Sequence, residues 1–525
     1  MGKPKVKFVS IEEGITALGF RRVAAVARKL NPDTEICFIT PGNLYSFTTH
    51  IFPSKHTDFG SKDYQAIARE LSSADLVCFS SMTPSAHYVE AIATALKKIN
   101  PKVFILWGGT HCILHPNEAI KYSDAICTWE GEIPFQIFYR AFSSQKSYLA
   151  TPSMWFKTKK SIIKNKNLQL NNAKVLSSLP HPFWDLNCQI YDLNSKTFRN
   201  FTKDDYLNYN GLAYKTIWSI GCPFSCIYCA NDAFISLDFN YRILRYSSIN
   251  HLLEEIEAGL KLYPFVSSVY FIDDNFIAIP LETIKTFCKE YKKRINLPFA
   301  VVGLHPNLIT KEKLELLARA GMNRGRMGIQ SGSEKTLSFY NRLTPTSNII
   351  KSASILGKAV KKYQMIPTAY DIISDNPIET KGDLLATLEL LYQLERPYTL
   401  TVFSLRVFPK TKLYDYFKSH PSLDIRQVTS SYLETQKSLY NILLYLLAIT
   451  KPPKIIFYWL LKHVKTTNEK QRYFPTLYFV IRTLYLISRA IAHLKRFDFS
   501  TIVGPWGYYL WKLGFIKSKF RPQTT

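Results

Sequence analysis

Three cysteines carry the densest chemistry in the chain: Cys222-Pro-Phe-Ser-Cys226-Ile-Tyr-Cys229 places three thiols within eight residues. Thiolates at this spacing can each hold one iron of a cubane iron–sulfur cluster and leave the fourth iron open to a further ligand. A structural zinc site is the other use of clustered cysteines, but it takes four ligands and pairs Cys-x2-Cys with a second pair elsewhere. The next cysteine, Cys288, falls in TIKTFCKEYKK, a segment of helical period. The apolar run KTIWSIG reads as a strand ending at Gly221, so the three cysteines belong to the loop that follows a strand.

The elements around that loop form a repeating series. From 215 to about 410 the candidate strands KTIWSI, SSVYFID, PFAVVG, RMGIQ, PTAYDIIS and TLTVFSLRV alternate with segments of helical period such as INHLLEEIEAGLKLY and KEKLELLARAG. Six βα units predict a partial (βα)6, TIM-like barrel over 215–430, with functional loops at the carboxyl ends of its strands. Upstream, over 1–142, KVKFVS, EICFIT, ADLVCFS and KVFILWGG alternate with GITALGFRRVAAVARKL and HYVEAIATALKKI, the pattern of a doubly wound, Rossmann-like α/β domain. Its loops at SSMTP and at Gly108 to His111 fall where such sheets bind ligands. Residues 143–214 are polar and aperiodic apart from VLSSLPHPFWDL and read as a linker. Residues 431–525 read as a basic, aromatic, α-helical region, with fifteen Lys or Arg against three acidic residues.

At 525 residues the chain is too long for one core, and two or three domains are expected. Nine cysteines is an odd number, the start MGKPKVKF has no apolar leader, and the apolar runs of the C-terminal region look too short or interrupted to cross a bilayer. A reduced, cytoplasmic protein is the expectation. The net charge of +27 calls for an anionic partner. In the C-terminal region, aromatic and basic residues alternate as in helices that lie on a membrane surface, although a helical cap with a basic outer face would give a similar composition.

The cysteine segment resembles the radical S-adenosylmethionine (SAM) superfamily, whose CxxxC-aromatic-C motif is matched by Cys222, Cys226, Tyr228 and Cys229. The resemblance implies that these cysteines are the metal ligands of a [4Fe–4S] cluster and that SAM chelates its open iron. One-electron reduction would then cleave SAM to a 5′-deoxyadenosyl radical. It places Tyr228 beside the adenine. FIDDNF ends the next strand, where the superfamily keeps polar groups near the SAM amino group, which nominates Asp273, Asp274 and Asn275. GIQSGSEKTL resembles the GIESGS motif and nominates Gln330, Ser331, Gly332 and Ser333. Gln330 stands where glutamate is commoner; it can hydrogen-bond a hydroxyl or an amine but brings no charge to an ammonium. DIISDNPIETKGDL occupies the place of a GxPGET motif, and FSLRVFPKTKLYD resembles a PGTxL segment with Lys410 in place of glycine. Asp375-Asn376-Pro377 reads equally as a turn with a side-chain cap.

The first domain resembles the cobalamin-binding half of one large radical SAM subclass. WGGTHCILHPNEAI and DAICTWEGE are similar to its GGPHxxxxPEE and GEGE elements, and SSLPHPFWDL to its linker element, so the resemblance spans about 5–420. It implies a cobalamin site drawn from Ser81, Thr83, Gly108, Gly109, Glu130 and Gly131. Asp-x-His-x-x-Gly does not occur in this domain, which implies cobalamin bound without a protein histidine below the metal, and His111 reads as a hydrogen-bonding loop residue. Gly108 and Gly109 also suit a tight strand-to-helix turn, and Glu130, Gly131 and Glu132 an exposed acidic turn.

The activity implied is hydrogen abstraction followed by transfer of a methyl group from methylcobalamin to an unactivated carbon of a hydrophobic small molecule. An electron donor such as flavodoxin or ferredoxin and peripheral membrane contact through the C-terminal region go with it. The alternatives are a radical cyclase or rearrangement enzyme, a methylthiotransferase acting on transfer RNA with Cys37, Cys78 and Cys112 on a second cluster, and a non-enzymatic cobalamin or cluster sensor. Cys37 and Cys78 lie inside the strands EICFIT and LVCFS, where a free cysteine packs as a small hydrophobe. The C-terminal region lacks the alternation of a small RNA-binding barrel, so nucleic acid is not the expected partner.

Overall fold

A computed structural model describes residues 3–41, 59–420, 422–423, 435–466, 474–496, 498–500 and 509–515. The chain divides into two compact units: Met1–Leu212 with Asn250–Val266 and Val503–Ile516, and Ala213–Ile249 with Ser267–Ile502 and Lys517–Thr525. The boundary expected at 430 lies outside the described residues.

The first unit is built on β1 (Val6–Ile11), β2 (Glu35–Ile39), β3 (Leu76–Ser81), β4 (Phe104–Gly108) and β5 (Ala125–Cys127), parallel and ordered β5-β4-β3-β1-β2. Their near-continuous apolar runs bury both faces, as parallel strands between helical layers do. Side chains alternate across the sheet: Val9, Ile39, Val77 and Phe79 join a core with Ile67, Leu71 and Ile92, while Phe8 and Phe38 meet the aromatic rings of Phe20 and Phe135. Chain order reverses between β1 and β3, and the crevice beyond their carboxyl ends is the ligand position of such sheets.

The stretch 143–214, expected as a linker, extends this sheet instead. β6 (Met154–Lys157) and β7 (Ile162–Lys164) lengthen one edge, β8 (Gln189–Asp192) and β9 (Thr197–Asn200) the other, giving nine strands. Strands of three or four residues with polar, half-exposed faces are too short to leave a periodic signal in the sequence. The apolar patch within it docks on the Leu18–Leu30 helix: the guanidinium of buried Arg21 bonds the Phe183 carbonyl at 2.5 Å and stacks 3.7 Å from the Trp184 ring.

The second unit holds β10 (Ala213–Thr216), β11 (Ser219–Ile220), β12 (Arg245–Tyr246), β13 (Ser268–Phe271), β14 (Phe299–Leu304), β15 (Met322–Gln330), β16 (Thr368–Ser374) and β17 (Tyr398–Ser404). β10 and β13 to β17 form a six-stranded sheet, parallel throughout, with strand neighbours in chain order; helices such as Leu281–Arg294, Lys311–Ala320, Thr346–Lys362 and Lys381–Gln393 connect them. This is the expected open barrel. The Leu439–Ile449 helix packs on β17 and on Lys381–Gln393, and Pro475–Leu494 packs on Leu439–Ile449. The C-terminal apolar runs are expected to be too short or too often interrupted to cross a bilayer; Pro475–Leu494, which contains Arg482 and Arg489, is nonetheless one helix of 20 residues, long and apolar enough to do so by length and composition.

Candidate active site

The strand expected at 215–220 is split. β10 ends at Thr216, and β11 leaves the barrel sheet to pair antiparallel with β12. Asp273, just beyond β13, causes the break: its carboxylate accepts from the Ser219 amide at 2.5 Å, the Ser219 hydroxyl at 2.6 Å and the Trp218 amide at 3.3 Å, taking N–H groups that a neighbouring strand would otherwise use. Burial lifts the Asp273 pKa to about 6 against these bonds. Gly221 then turns the chain at φ 103°, where a Cβ would lie 2.7 Å from the Tyr241 carbonyl oxygen. The left-handed turn and the close approach both require glycine here.

Cys222 and Cys226 are buried, and Cys229, immediately before the Ala230–Leu237 helix, is half-buried. Burial pushes the Cys229 thiol up to about 12. The Asn275 amide reaches the Cys222 sulfur at 3.7 Å, and Nη1 of Arg342 reaches the Cys226 sulfur at 3.7 Å and the Tyr228 hydroxyl at 3.4 Å. Tyr228 meets Tyr340 edge-on at 4.9 Å. His305, after β14, lies flat on Phe224 of the cysteine loop at 3.8 Å. Asn275 Oδ1, His305 Nε2 and Arg342 Nε are buried without a protein partner, which is costly unless a ligand supplies one. Asp274 is exposed at its surface, and the protein packed around its carboxyl raises its pKa. Among the described residues no three His, Cys, Asp or Glu side chains gather closely enough for one metal ion. Three thiols in one loop, with the unpartnered polar groups of Asn275, His305 and Arg342 beside them, have the donor chemistry that an iron–sulfur cluster with an attached ligand takes.

The nominated residues divide into two sets. Tyr228, Asp274, Asn275 and Gln330 border the cysteine loop or the rim beside it, Gln330 at φ 76° where β15 ends. Asp273 is taken up by the backbone before the loop. Ser331 donates to Glu379 at 3.0 Å, the Gly332 amide to Thr387 at 2.8 Å and Ser333 to Asp383 at 2.5 Å; Ser333 also caps the Glu334–Phe339 helix. This segment is pinned to the start of the Lys381–Gln393 helix. Asp375-Asn376-Pro377 is the capped turn: the Ile378 amide donates to Asn376 Oδ1 at 3.0 Å, and the Asn376 amide donates to the Tyr340 hydroxyl at 2.9 Å. Arg342 and His305 escaped the sequence reading because neither sits in a recognised motif.

In the first unit, parallel pairing brings the ends of β1, β3, β4 and β5 to one edge. Thr83 Oγ1 lies there buried and unpartnered, a ready donor to a cofactor. Ser81 is buried and accepts from the Trp107 ring nitrogen at 3.1 Å. Gly109 stands at φ 95° with its would-be Cβ 2.6 Å from the Ser81 carbonyl oxygen, so the tight-turn requirement is real; Gly108 meets only ordinary contacts. Glu130 accepts from the Asn171 amide at 2.6 Å and Glu132 from the Asn171 side chain at 3.3 Å, fastening the 143–214 stretch to this edge, with Gly131 between them. His111 is buried between Trp107 and His115, both about parallel to it, and burial lowers its pKa to about 4. Glu12, after β1, was missed by the sequence reading; burial raises its carboxyl to about 7.

Residues 216–391 match the family model of the Radical SAM superfamily, and residues 5–138 that of the B12 binding domain. The chain is a B12-binding-domain radical SAM enzyme. Its cofactors are accordingly a [4Fe–4S] cluster, SAM and cobalamin. This enzyme is 23% identical over 348 residues, 65% of its own length and 69% of the other, to the uncharacterized methyltransferase PH0819 of Pyrococcus horikoshii. It is 27% identical to the uncharacterized protein MJ0486 of Methanocaldococcus jannaschii over 48% of its length and 80% of the other. The structure of the radical SAM methyltransferase TsrM from Kitasatospora setae, with tryptophan substrate and a SAM analogue bound, aligns with TM-score 0.59 and 12% identity over 79% of this chain and 76% of that one. The cobalamin-dependent SAM radical enzyme OxsB aligns with TM-score 0.56 and 15% identity over 82% of this chain and 59% of that one. At these identities the two structures speak for the fold.

In this B12-binding-domain radical SAM enzyme Cys37 and Cys78 are buried in β2 and β3 with β1 between them, a separation of about 10 Å for strands two apart. Burial raises both thiols and that of Cys112. They pack as small apolar groups, which removes the support for a second cluster.

Proposed function

We propose that Cys222, Cys226 and Cys229 hold the cluster and that the enzyme methylates an unactivated carbon of a hydrophobic small molecule. The observation that carries this reading is the cysteine loop itself, flanked by Asn275 and Arg342 at 3.7 Å from two of its sulfurs, in a chain that also has a B12-binding domain. When bound, the reduced cluster supplies the electron that cleaves SAM, and cobalamin supplies the methyl group. Tyr228, Asp274, Asn275 and Gln330 would orient SAM, Asp273 holds the backbone that presents Cys222, and Arg342 holds the Cys226 sulfur. Thr83 and the β4 and β5 loops, Gly108, Gly109, Glu130 and Gly131, would receive cobalamin. Phe403, exposed at the end of β17, gives the substrate side of the rim an apolar group. The net charge of +27 suits an acidic reductant such as flavodoxin or ferredoxin. Cytoplasmic location with peripheral membrane contact belongs to the same reading, and the methyltransferase name of the Pyrococcus relative supports the reaction class.

Anaerobic reconstitution followed by SAM and dithionite tests it: 5′-deoxyadenosine is expected, with S-adenosylhomocysteine accompanying methyl transfer. Cys226→Ala should lose the broad visible absorbance of the cluster and SAM cleavage while cobalamin binding stays measurable. Undiminished cleavage by that variant would reject the assignment.

A further inference from the structure

The Pro475–Leu494 helix is amphipathic in the inverse sense to a water-facing helix. Leu477, Val480, Leu484, Ile487, Ile491 and Leu494 follow one another at steps of three or four, hence on one face, and all are exposed, Leu484 at 49%. The inward side is held by Tyr478, Tyr485, Leu486 and His493, all buried, with Tyr485 donating to the Leu400 backbone oxygen and His493 bonded to Asp498 at 3.0 Å. Arg482 and Arg489 are partly covered, and Arg489 lies 5.8 Å from the Tyr485 ring. A cap with a basic outer face would show the opposite arrangement. Water gives no reason to turn six aliphatic side chains outward along a helix about 30 Å long.

The surroundings favour an anionic lipid surface over an apolar protein partner. Residues 435–466 and 474–496 contain nine Lys or Arg and no Asp or Glu. Lys495 is exposed at the carboxyl end of the same helix. The Lys454–Leu461 helix exposes Ile455 at 86% together with Tyr458 and Trp459, and Lys454 and Lys462 flank them. Trp and Tyr beside apolar residues, with lysines at the edge, are the composition of the membrane interface. Crossing is not the geometry: the helix is fixed along one face to Leu439–Ile449 and β17.

We propose that the outer face of Pro475–Leu494, with the exposed side of Lys454–Leu461, is a monotopic docking surface that lies in the plane of an anionic bilayer. This deepens the membrane-contact part of the function proposed above and is independent of its chemistry. The test uses full-length protein in flotation with phosphatidylcholine vesicles, with and without phosphatidylglycerol. Wild type should float with the anionic vesicles, and Leu484→Glu with Ile487→Glu should weaken binding by about tenfold or more. Melting temperature and lipid-free SAM cleavage should be unchanged in that variant, so a failed methyltransferase reading and a failed membrane reading give different results. Absence of wild-type flotation, or undiminished flotation of the variant, would overturn the proposal. So would a lipid-free dimer that the double variant converts to monomer, because the face would then belong to a second copy.

Discussion

Arg342 places Nη1 3.7 Å from the sulfur of Cys226, a residue 116 positions earlier in the chain. Hydrogen bonds to cluster sulfurs stabilise the reduced state, so this contact bears on the potential at which SAM can be cleaved. Arg342→Gln should keep iron and sulfide content, lower the midpoint potential in an anaerobic redox titration and slow 5′-deoxyadenosine formation about 10- to 100-fold. An unchanged potential would reduce Arg342 to a packing residue.

Gly221→Ala puts a methyl group 2.7 Å from one carbonyl oxygen and 2.8 Å from another, at a φ of 103°. The cysteine loop must shift to admit it. Iron content after reconstitution should fall by more than half, with the absorbance of bound cobalamin retained.

Glu379 is buried, with Oε1 held by Ser331 and Oε2 unpartnered, and burial lifts its pKa to about 7 despite the Ser331 bond. The folded state therefore binds a proton that the unfolded state has released above pH about 4.5. The benefit is whole below that pH and is lost as pH rises through 7. Glu379→Gln removes the titration, and its melting temperature relative to wild type should climb between pH 5 and pH 8, by an amount equivalent to at most about 3 kcal/mol. A difference that stays flat across this range would contradict the assignment.

The carboxylate of Asp375 accepts from the Asn441 side chain at 2.9 Å and the Gln436 amide at 2.9 Å, and the Ser404 hydroxyl also donates to it. Asn441→Ala would take one donor from this half-buried carboxyl group, at a cost of about 1 kcal/mol. Thermal unfolding should start earlier, and urea should expose the second unit first.

The two α/β series and the cysteine motif were legible because β1, β3, β13 and β14 are largely apolar runs and the three thiols are close in sequence. What stayed hidden depends on contacts between distant residues. The break between Thr216 and Ser219 comes from Asp273, 54 residues beyond Ser219. The short strands β6 to β9 exist because a neighbouring strand edge completes them. Periodicity could reveal that Leu477, Leu484 and Ile491 share a face, but not that Tyr478, Tyr485 and His493 hold the inward side.

The Asp375 junction means that the last two barrel strands are not a portable module. A fragment stopping near 430 would lack the donors that Asn441 and Gln436 bring to Asp375, and it would uncover the surface that Leu439–Ile449 now shields. Poor recovery of such a shortened protein would report a damaged barrel rim before it said anything of lipid. Attempts to transplant this catalytic half into another scaffold will therefore need to carry the first C-terminal helix with it.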